Sequence, residues 1–477
     1  MPEKKEEEKK ITYKDAGVDL DEQEKSNEMI KGLTKSDIGE GLFGGAVAVP
    51  EIKQMDVPIL IMNVKSGSEY WEPGMSLAQL GERMIDDMCS NRSTKILGIL
   101  DYMASDKLKA EETRDFVEGL KKVEQYGGRI LGGETADMNV IYQKGQKDFF
   151  VTCLELCDWV ALNEMGGRPV SYVPLDKFKK YEEPVLVAST DGVGTKTKIG
   201  IEASRVSGLM HDIINHCVND IAVHGTLPLA FIPYIAGHSI HPETAVMLES
   251  GAEEAAENAG IQFLHGMLHD VPRVYNPKMI DIAGTVIGII DKQHIIDGSA
   301  IKEGDIVVKL HSSGIGTNGY SLVRMVFFET LKHNLADYVP EFRRGIVAKE
   351  LLEPHANYAN AMLRLANRVD VGGFAHITGG GLEGNLSRII PEGLTAVIDR
   401  KKLEPIPPVF RYIMEKGDID EQEMFRVFNM GVGVAAVVPK EDAKTVVDYL
   451  QRSHHSQDTV IGRIEKGEKR FRWTGGR

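Results

Sequence analysis

Two short segments of the sequence combine carboxylates, an ammonium group and glycine in a manner suited to binding phosphate. TYKDAGVD occupies residues 12–19, and STDGVGTK occupies residues 189–196, directly after the apolar run PVLVA. A carboxylate can hold Mg²⁺, a lysine can meet phosphate oxygens, and glycine lets backbone N–H groups approach an anion. Each segment alone is equally well explained as a surface turn, and the Asp-Gly pair of the second segment is a common turn signal.

A third segment adds polar groups at the end of a helix-like run. CVNDIAVHGTLP, residues 217–228, contains Asn219 and Asp220, which are candidates either for a metal site or for a helix cap. No Walker A pattern occurs, so the usual P-loop route to ATP is excluded. GIGTNG, residues 314–319, fits G-x-G-x-x-G, but the following ~30 residues lack the second strand with a final acidic residue that a nicotinamide site needs.

Metal sites built on thiols or on histidine pairs are not favoured. Cys153 and Cys157 have one-face spacing on a strand, but without a second nearby pair they predict buried, reduced thiols rather than zinc ligands. His265 and His269 have helical ligand spacing, yet they stand where a turn is expected and lack an obvious third ligand. A loop or a packed pair is the favoured interpretation.

Seven ordered segments resemble the aminoimidazole ribonucleotide synthetase family, the phosphoribosylformylglycinamidine cyclo-ligases. They are TYKDAGVD, PVLVASTDGVGTK, CVNDIAVHG, DIAGTVIGIIDKQHIIDGS, HSSGIGTNGYSLVR, AHITGGGLEGNLSRIIPEGL and MFRVFNMGVGVAAVVP, and they extend over nearly the whole chain. The resemblance implies an ATP-consuming ligase of purine biosynthesis. In that reaction the formyl oxygen of formylglycinamidine ribonucleotide attacks the γ-phosphate of ATP, and the amidine nitrogen then displaces phosphate to close the imidazole ring.

The resemblance also implies roles for individual residues. The implied ATP contacts are Lys14, Gly132, Gly133, Glu134, Thr135, Gly192, Gly194, Thr195, Lys196 and Asn219. The implied substrate contacts are Asn318, Ser321, Thr378, Gly379, Gly380 and Gly381. Asp191 and Asp220 are the implied Mg²⁺ ligands, and the implied catalytic groups are Lys14, Asp191 and His376. The near-neutral reference pKa of His376 permits hydrogen bonding or proton transfer, although the same side chain can simply cap the glycine turn.

The chain departs from the family's pattern at three places. The loop before NGYS usually contains His and Ser in the family, whereas this chain has Gly316 and Thr317, which puts any role of that His in doubt. Met430 replaces a common cysteine, so a thiol-dependent step is not expected. GGET, which in the family follows the helix after the CVND element, reads HGML at residues 265–268, and GGET occurs instead at residues 132–135.

An internal repeat accounts for the displaced motif. The passage from Thr113 to Tyr142 can be laid over the passage that begins at Thr244 and ends at Tyr275, with glycine and tyrosine anchors 132 or 133 residues apart. Upstream, PILIMNVKSG at residues 58–67 lies over PVLVASTDGV at residues 184–193. Shared helix-then-strand periodicity is the alternative, but the nearly constant spacing favours a duplicated domain.

Each copy contains motif residues that the other copy lacks. In the first copy Lys65 stands where the second has Asp191, and Tyr70 stands where the second has Lys196. The resemblance implies that the family's N-terminal domains pair in a dimer around a shared β-barrel. We therefore predict that the two copies pair face to face, so that Glu134 and Thr135 complete the site that contains Asp191. The alternative is that GGET acts within its own copy, in which case neither site is whole.

Composition limits the classes of partner. The net charge of −15 disfavours broad attraction to nucleic-acid phosphate. The start, MPEKKEEEKK, has no apolar core and predicts a solvated tail, and no apolar stretch approaches the ~20 residues that cross a bilayer. We expect a cytoplasmic protein that binds a small phosphorylated ribonucleotide, neither nucleic acid nor membrane, with a pseudo-dimer within the chain and possible further homo-oligomerisation.

Together these features predict an α/β (α+β) protein with two related N-terminal domains that pair through a shared β-barrel, plus a C-terminal α/β sandwich domain. The predicted units are a tail with TYKDAGVD (1–30), a partly degenerate first copy (31–160), a linker (161–183), an ATP-binding second copy (184–300) and a substrate-binding domain (301–477). A related ATP-dependent small-molecule kinase or selenophosphate-type synthetase, and a non-catalytic nucleotide-binding protein, remain as alternatives.

Overall fold

The computed structural model describes residues 11–18, 22, 25, 44–90, 94–164, 171–453 and 455–475. The charged start of the predicted tail and residues 165–170 of the predicted linker lie outside the described residues. Across the described ranges the strands form three sheets, and helices pack against them, which is the expected mixed α/β architecture. None of the helices in these ranges is long and apolar enough to cross a membrane.

The first unit covers the described part of residues 44–174. In chain order its elements are β1 (Gly45–Ala48), β2 (Pro58–Ser66), α1 (Leu77–Cys89), β3 (Lys95–Ser105), α2 (Ala110–Leu120), β4 (Ile130–Asp137), β5 (Lys147–Asp158), α3 (Trp159–Glu164) and β6 (Tyr172–Pro174). Helix α1 begins at a capping box in which Ser76 and Gln79 each accept the other's backbone N–H. Strands β2 to β6 form a sheet with the order β4-β3-β5-β2-β6.

The second unit, residues 184–291, repeats this plan. Its elements are β7 (Pro184–Gly192), α4 (Lys196–Glu202), α5 (Ser207–Ala222), β8 (Leu227–Gly237), α6 (Pro242–Ala259), β9 (Gln262–Phe263), β10 (Met267–Asp270) and β11 (Ile280–Asp291). The sheet order is β10-β8-β11-β7-β1, with β9 beside β8, so it matches the first sheet strand for strand. The segments aligned at Pro58 and Pro184 both form nine-residue strands.

The edge strands of these two sheets are exchanged. Strand β1 comes just before the first repeated strand, β2, but pairs with β7 of the second unit. Strand β6 comes just before the second repeated strand, β7, but pairs with β2 of the first unit, so part of the predicted linker is a sheet strand. The short strand before each repeat therefore completes the sheet of the other repeat.

The two sheets pack face to face. Leucine, isoleucine and valine side chains from both sheets form one buried core between them. The hydroxyl oxygens of Thr152 and Thr285, which are 133 residues apart, lie 2.8 Å from each other. Tyr142 and Tyr275, also 133 residues apart, form an isolated antiparallel bridge. These self-matching contacts are those of an isologous interface.

Buried carboxylates reinforce the same interface in symmetric fashion. Asp281 accepts hydrogen bonds from Tyr142 at 2.6 Å and from Tyr102 at 3.1 Å. Asp148, at the equivalent position, accepts from Tyr234 at 2.7 Å and from Tyr275. Because each tyrosine or carboxylate has a counterpart in the other unit, the face-to-face packing is specific as well as apolar.

The expected shared barrel is not closed among the described residues. No backbone ladder joins the two sheets there, and they meet at two seams instead. At one seam the Ser171 hydroxyl donates to the His265 carbonyl at 2.8 Å. At the other, Gly45 lies so near the Leu131 carbonyl that a Cβ on Gly45 would be 2.1 Å from its oxygen. The edge strands at these seams, β1 and β6, are only four and three residues long.

The third unit is the C-terminal domain. Its elements are β12 (Ile306–His311), α7 (Tyr320–Arg324) with a π-helical turn (Met325–Thr330), α8 (Val347–Leu351), α9 (Ala359–Ala366), β13 (Gly373–His376), α10 (Gly381–Ile389), β14 (Leu394–Asp399), α11 (Pro408–Lys416), α12 (Glu421–Val427), β15 (Val432–Val438), α13 (Ala443–Ser453), β16 (Thr459–Lys466) and β17 (Phe471–Thr474). The sheet order is β13-β15-β12-β16-β14-β17. One continuous buried core runs from the second sheet through α5 to this sheet.

Candidate active site

Ionisable side chains from all three units meet beside the end of β7. Asp191 lies at that strand end, and His216 and Asp220 project from one face of α5 because they are four residues apart. His376 is the last residue of β13 in the C-terminal domain. Glu134 of β4 interacts electrostatically with Asp191 and His216, which adds the first unit to the cluster.

The His216 imidazole lies between two carboxylates. Its Nε2 is 2.9 Å from Asp191 Oδ2 and 3.5 Å from Asp220 Oδ2. The other oxygen of Asp220 is 2.7 Å from His376 Nδ1. The remaining ring nitrogens also have partners: His216 Nδ1 is 2.7 Å from the Thr317 hydroxyl, and His376 Nε2 is 2.9 Å from His355 Nε2. The cluster is therefore a continuous hydrogen-bonded network.

Charge is distributed unevenly over this network. Burial alone would lower the pKa of His216, but the Asp191 and Asp220 carboxylates raise it to about 9. Burial also opposes ionisation of Asp220, yet His216 and His376 hold its pKa below the ordinary value. Burial lowers the pKa of His376 despite the neighbouring Asp220. At neutral pH His216 is thus an imidazolium and His376 a neutral imidazole.

Glu134 is the residue of the first unit that contributes to the cluster. Burial first, and then the negative charge of Asp191, raise the pKa of Glu134 to about 8. Its neighbour across the β3–β4 ladder is Tyr102, and the Tyr102 hydroxyl lies only 2.6 Å from where a Cβ on Gly192 would be. GGET of the first unit therefore stands beside the STDG strand end of the second. In the same motif, Gly132 has open space around it and Thr135 is buried.

The Lys196 side chain makes structural contacts and does not reach the cluster of carboxylates and imidazoles. Its ammonium is fully buried and donates to Asp212 at 2.8 Å, to the Gly316 carbonyl at 3.0 Å and to the Glu353 carbonyl at 2.8 Å. These three acceptors match its three hydrogens, which leaves none for an ATP phosphate in this conformation.

Asn219 has a comparable structural role. Its amide nitrogen donates to the Ala356 carbonyl at 2.8 Å, and its carbonyl accepts the Tyr358 N–H at 2.7 Å. Both polar ends of the side chain are occupied by the loop before α9. In this conformation Lys196 and Asn219 both tie the second unit to the C-terminal domain, which supplies backbone partners for each, and their contact with ATP stays a prediction.

The turn after β7 lies against the NGYS segment of the C-terminal domain. Gly194 has a positive φ of 72°, and the following Thr195 hydroxyl is 3.2 Å from the Ser321 hydroxyl. Asn318 is close to the glycine turn, because a Cβ on Gly379 would lie 3.5 Å from its amide nitrogen. The implied ATP turn and the implied substrate residues are thus neighbours.

The glycine turn before α10 requires glycine at two of its positions. Gly380 and Gly381 have positive φ, of 89° and 62°, and a Cβ on Gly381 would lie 1.9 Å from the Phe425 carbonyl oxygen. Helix α10 begins at Gly381, and the positive end of its dipole suits an anion placed at the turn. Thr378 is half-buried at the start of the turn, where the Asn385 amide nitrogen donates to the Gly379 and Gly381 carbonyls at 3.1 and 2.8 Å.

Lys14 lies on the described N-terminal segment, residues 11–18, and is exposed. The backbone N–H of the preceding Tyr13 donates to Glu423 Oε1 at 2.7 Å, and the Tyr13 side chain hydrogen-bonds to the backbone of Gly319. The segment therefore packs on the C-terminal domain, next to the NGYS residues. It brings Lys14 to the side of the molecule on which those residues lie.

The aspartates do not present a typical Mg²⁺ site. Mg²⁺ requires near-octahedral oxygen ligands at short distances. Asp191 and Asp220 supply oxygen, but the His216 imidazole lies between them, with its Nε2 2.9 Å from one carboxylate and 3.5 Å from the other. As arranged here, the two side chains do not fit an Mg²⁺ ion held between them.

The sequence reasoning missed three members of the network: His216, His355 and Arg388. Arg388 of α10 interacts electrostatically with Asp220 and Glu134. A signal existed for His216, which precedes Asp220 by one helical turn on the same face. His355 had no local signal, because it follows α8 and meets His376 only through the fold.

Comparison with known proteins identifies the family. Residues 178–290 match the model of the AIR synthase related protein N-terminal domain, and residues 302–474 match that of its C-terminal domain. A phosphoribosylformylglycinamidine cyclo-ligase of Thermodesulfovibrio yellowstonii is 42% identical over 298 residues, which cover 62% of this chain and 86% of that protein. The chain belongs to the AIR synthase family. A second cyclo-ligase, from Alkaliphilus oremlandii, is 40% identical over 61% of this chain and 85% of its own length.

Within the AIR synthase family the likeness is carried by the second and third units, since the matched domain models begin at residue 178. Among solved structures, a HypE–HypF complex covers 61% of this chain and 88% of its own, with 18% sequence identity and a TM-score of 0.47. That likeness is too weak to support an argument about function.

Proposed function

We propose that this protein catalyses the ATP-dependent ring closure of formylglycinamidine ribonucleotide to aminoimidazole ribonucleotide. The observation that carries the proposal is the identity of about 40% to cyclo-ligases over most of their length. The cluster of carboxylates and imidazoles beside two glycine turns supports it, because phosphoryl transfer depends on positioning and on charge neutralisation.

The proposed ATP site lies at the turn after β7. Backbone N–H groups of Gly192 and Gly194, with the Thr195 hydroxyl, would hold phosphate oxygens, and Lys14 would approach from the N-terminal segment. Arg388 provides a further positive charge beside Glu134. The imidazolium of His216 keeps Asp191 from repelling the triphosphate, because it already balances that carboxylate at 2.9 Å.

The proposed substrate site lies across the network in the C-terminal domain. The backbone of the glycine turn, Gly379 to Gly381, would bind the ribonucleotide phosphate at the start of α10, and Asn318 and Ser321 would orient the substrate. His376 is buried, and both its ring nitrogens have partners, Asp220 Oδ1 at 2.7 Å and His355 Nε2 at 2.9 Å. Its proposed role is therefore to hold Asp220 in place next to the glycine turn.

We further propose that the first two units arose by duplication and that together they make one site. The identical strand order and the Thr152–Thr285 contact support a shared origin. Met267 occupies the position in β10 that Glu134 has in β4, since each pairs with the corresponding tyrosine of the neighbouring strand. The opposite side of the pseudo-dimer therefore lacks the acidic residue, and it also has Lys65 in place of Asp191. One competent site per chain is expected.

A coupled assay of ADP release tests the function. Turnover that depends on formylglycinamidine ribonucleotide supports the proposal. ADP release with a different acceptor would support a related kinase or synthetase, and nucleotide binding without turnover would support a non-catalytic role. We expect the protein to act on this small molecule in the cytoplasm.

The single-site arrangement has its own matched pair of variants. Glu134→Ala should reduce turnover at least about tenfold, because it removes a group that faces the reacting centre. Met267→Ala changes the equivalent position of the opposite side and should leave turnover near the wild-type rate. Full activity of Glu134→Ala would contradict the idea that the first unit completes the site.

A further inference from the structure

The network around His216 has the donor atoms and spacing of a transition-metal site. The metal-ligating atoms of His216, Asp220 and His376 all lie within 4.8 Å of one another, and all three side chains are buried. A fourth donor, Asp191 Oδ2, is 2.9 Å from His216 Nε2. Two imidazole nitrogens and two carboxylate oxygens make a donor set that zinc accepts and that Mg²⁺ does not prefer.

We propose that His216, Asp220 and His376, with Asp191 as the fourth ligand, bind one zinc-class divalent metal ion. Zn–N and Zn–O bonds of about 2.0–2.2 Å place neighbouring ligand atoms of a tetrahedron roughly 3.3 Å apart. His216 Nε2 is 2.9 Å from Asp191 Oδ2 and 3.5 Å from Asp220 Oδ2, so these atoms need to move only a few tenths of an ångström. The ion would sit among the ligand atoms, where direct hydrogen bonds hold them now.

The outer partners of the two imidazoles support this assignment. Metal-binding histidines usually engage their second ring nitrogen in a hydrogen bond, which fixes the ring and its tautomer. Here His216 Nδ1 is 2.7 Å from the Thr317 hydroxyl, and His376 Nε2 is 2.9 Å from His355 Nε2. Both rings are thus already oriented with their other nitrogens toward the carboxylates.

Access and charge are also suitable. The Asp191 side chain is 19% exposed, so the cluster is reachable from solvent at that carboxylate. A divalent ion would balance the negative charges of the two aspartates, and imidazole binds metal in its neutral form. This proposal concerns binding of the metal alone and does not depend on the cyclo-ligase reaction.

Calorimetric titration of the chelator-treated full-length protein with Zn²⁺ tests the site. We expect one equivalent to bind, unaffected by millimolar Mg²⁺. His216→Asn should weaken binding by at least about 100-fold, because it removes a ligand, and Thr317→Val should weaken it by about 10–100-fold through the loss of an outer hydrogen bond. His333→Asn is the matched control, since it removes a histidine paired with a different aspartate, Asp337, at 3.1 Å.

Substitution with Co²⁺ provides a second measurement that does not need a folded His216 variant. Four-coordinate binding gives intense visible absorption, and Thr317→Val should shift that spectrum while His333→Asn leaves it unchanged. Equal Zn²⁺ affinity in the wild type and His216→Asn, displacement by Mg²⁺, or only the weak spectrum of six-coordinate Co²⁺ would each overturn the proposal. Any of these results would leave the ring-closure proposal intact, since that is judged by ADP release.

Discussion

Replacing Glu134 by glutamine tests whether the first unit's carboxyl group lies in the field of the second unit's Asp191. Burial and that charge raise the pKa of Glu134 to about 8, from an ordinary value of 4.5. Between these two pH values the folded protein keeps a proton on Glu134 and the unfolded chain does not. Wild-type stability must therefore fall as the pH rises through this window. Glutamine has no such proton to lose, so the variant escapes that part of the decline.

The magnitude follows from the same pKa difference. At 1.36 kcal/mol per pKa unit the ceiling is about 5 kcal/mol. The Glu134 side chain is only partly buried, so solvent screening reduces the expected gain of Glu134→Gln to about 1–3 kcal/mol at pH 8.5. At pH 5 the gain should be small, because that pH is near the lower end of the window.

Urea unfolding at pH 5 and pH 8.5, followed by circular dichroism, measures this difference for the wild type and the variant. Glu253→Gln, on the exposed face of α6, is a matched control and should show no pH-dependent gain. A stability difference between Glu134→Gln and the wild type that is the same at both pH values would refute the reasoning. It would mean that Glu134 is solvated and distant from Asp191.

Three further substitutions test the packing described above. Gly381→Ala should destabilise the protein by more than about 2 kcal/mol in urea unfolding and abolish activity, because residue 381 has a positive φ and its Cβ would meet a backbone oxygen. Gly384→Ala, in the same helix, is the control and should be neutral in urea unfolding, because a Cβ there has open space. Tyr275→Phe removes one of two phenol donors from a buried carboxylate and should cost about 1–3 kcal/mol by the same measurement. Lys196→Met should lower the free energy of unfolding by about 3–5 kcal/mol, because it leaves Asp212 buried without its cation. Adding Asp212→Asn should recover part of that loss. Full stability of Lys196→Met would contradict a structural role for the Lys196–Asp212 ion pair.

The internal repeat stays a prediction, and the structure describes contacts between its anchors. Tyr142 and Tyr275, which the repeat aligns at a separation of 133 residues, meet in an isolated antiparallel bridge. The same alignment placed Pro58 over Pro184, and both segments form nine-residue strands. Closure of a barrel depends instead on edge-strand length and on backbone approach at the seams. Neither quantity is encoded in the side-chain pattern, so the sequence did not reveal the open seams.

Among the polar residues, too, the sequence predicted some of the grouping but not all of the contacts. Asp191, Asp220 and His376, which sequence reasoning assigned to one reaction, lie in one hydrogen-bonded network, and their chemical roles remain predictions. Lys196 was expected at a phosphate because it follows a glycine turn. Its actual acceptors include the Gly316 and Glu353 carbonyls, 120 and 157 residues further along the chain. A turn motif cannot distinguish these two environments, because the groups that Lys196 contacts are backbone carbonyls far away in the sequence.

The exchange of edge strands has a consequence for synthesis on the ribosome. Residues 45–48 emerge early, but their partner strand, residues 184–192, is translated about 140 residues later. At a synthesis rate of roughly 5–20 residues per second, the nascent N-terminal strand remains without its partner strand for on the order of ten seconds. Residues 172–174 then complete the earlier sheet just before the later one begins. A cut between the two units would leave residues 45–48 without their partner strand and the second sheet without its edge strand β1.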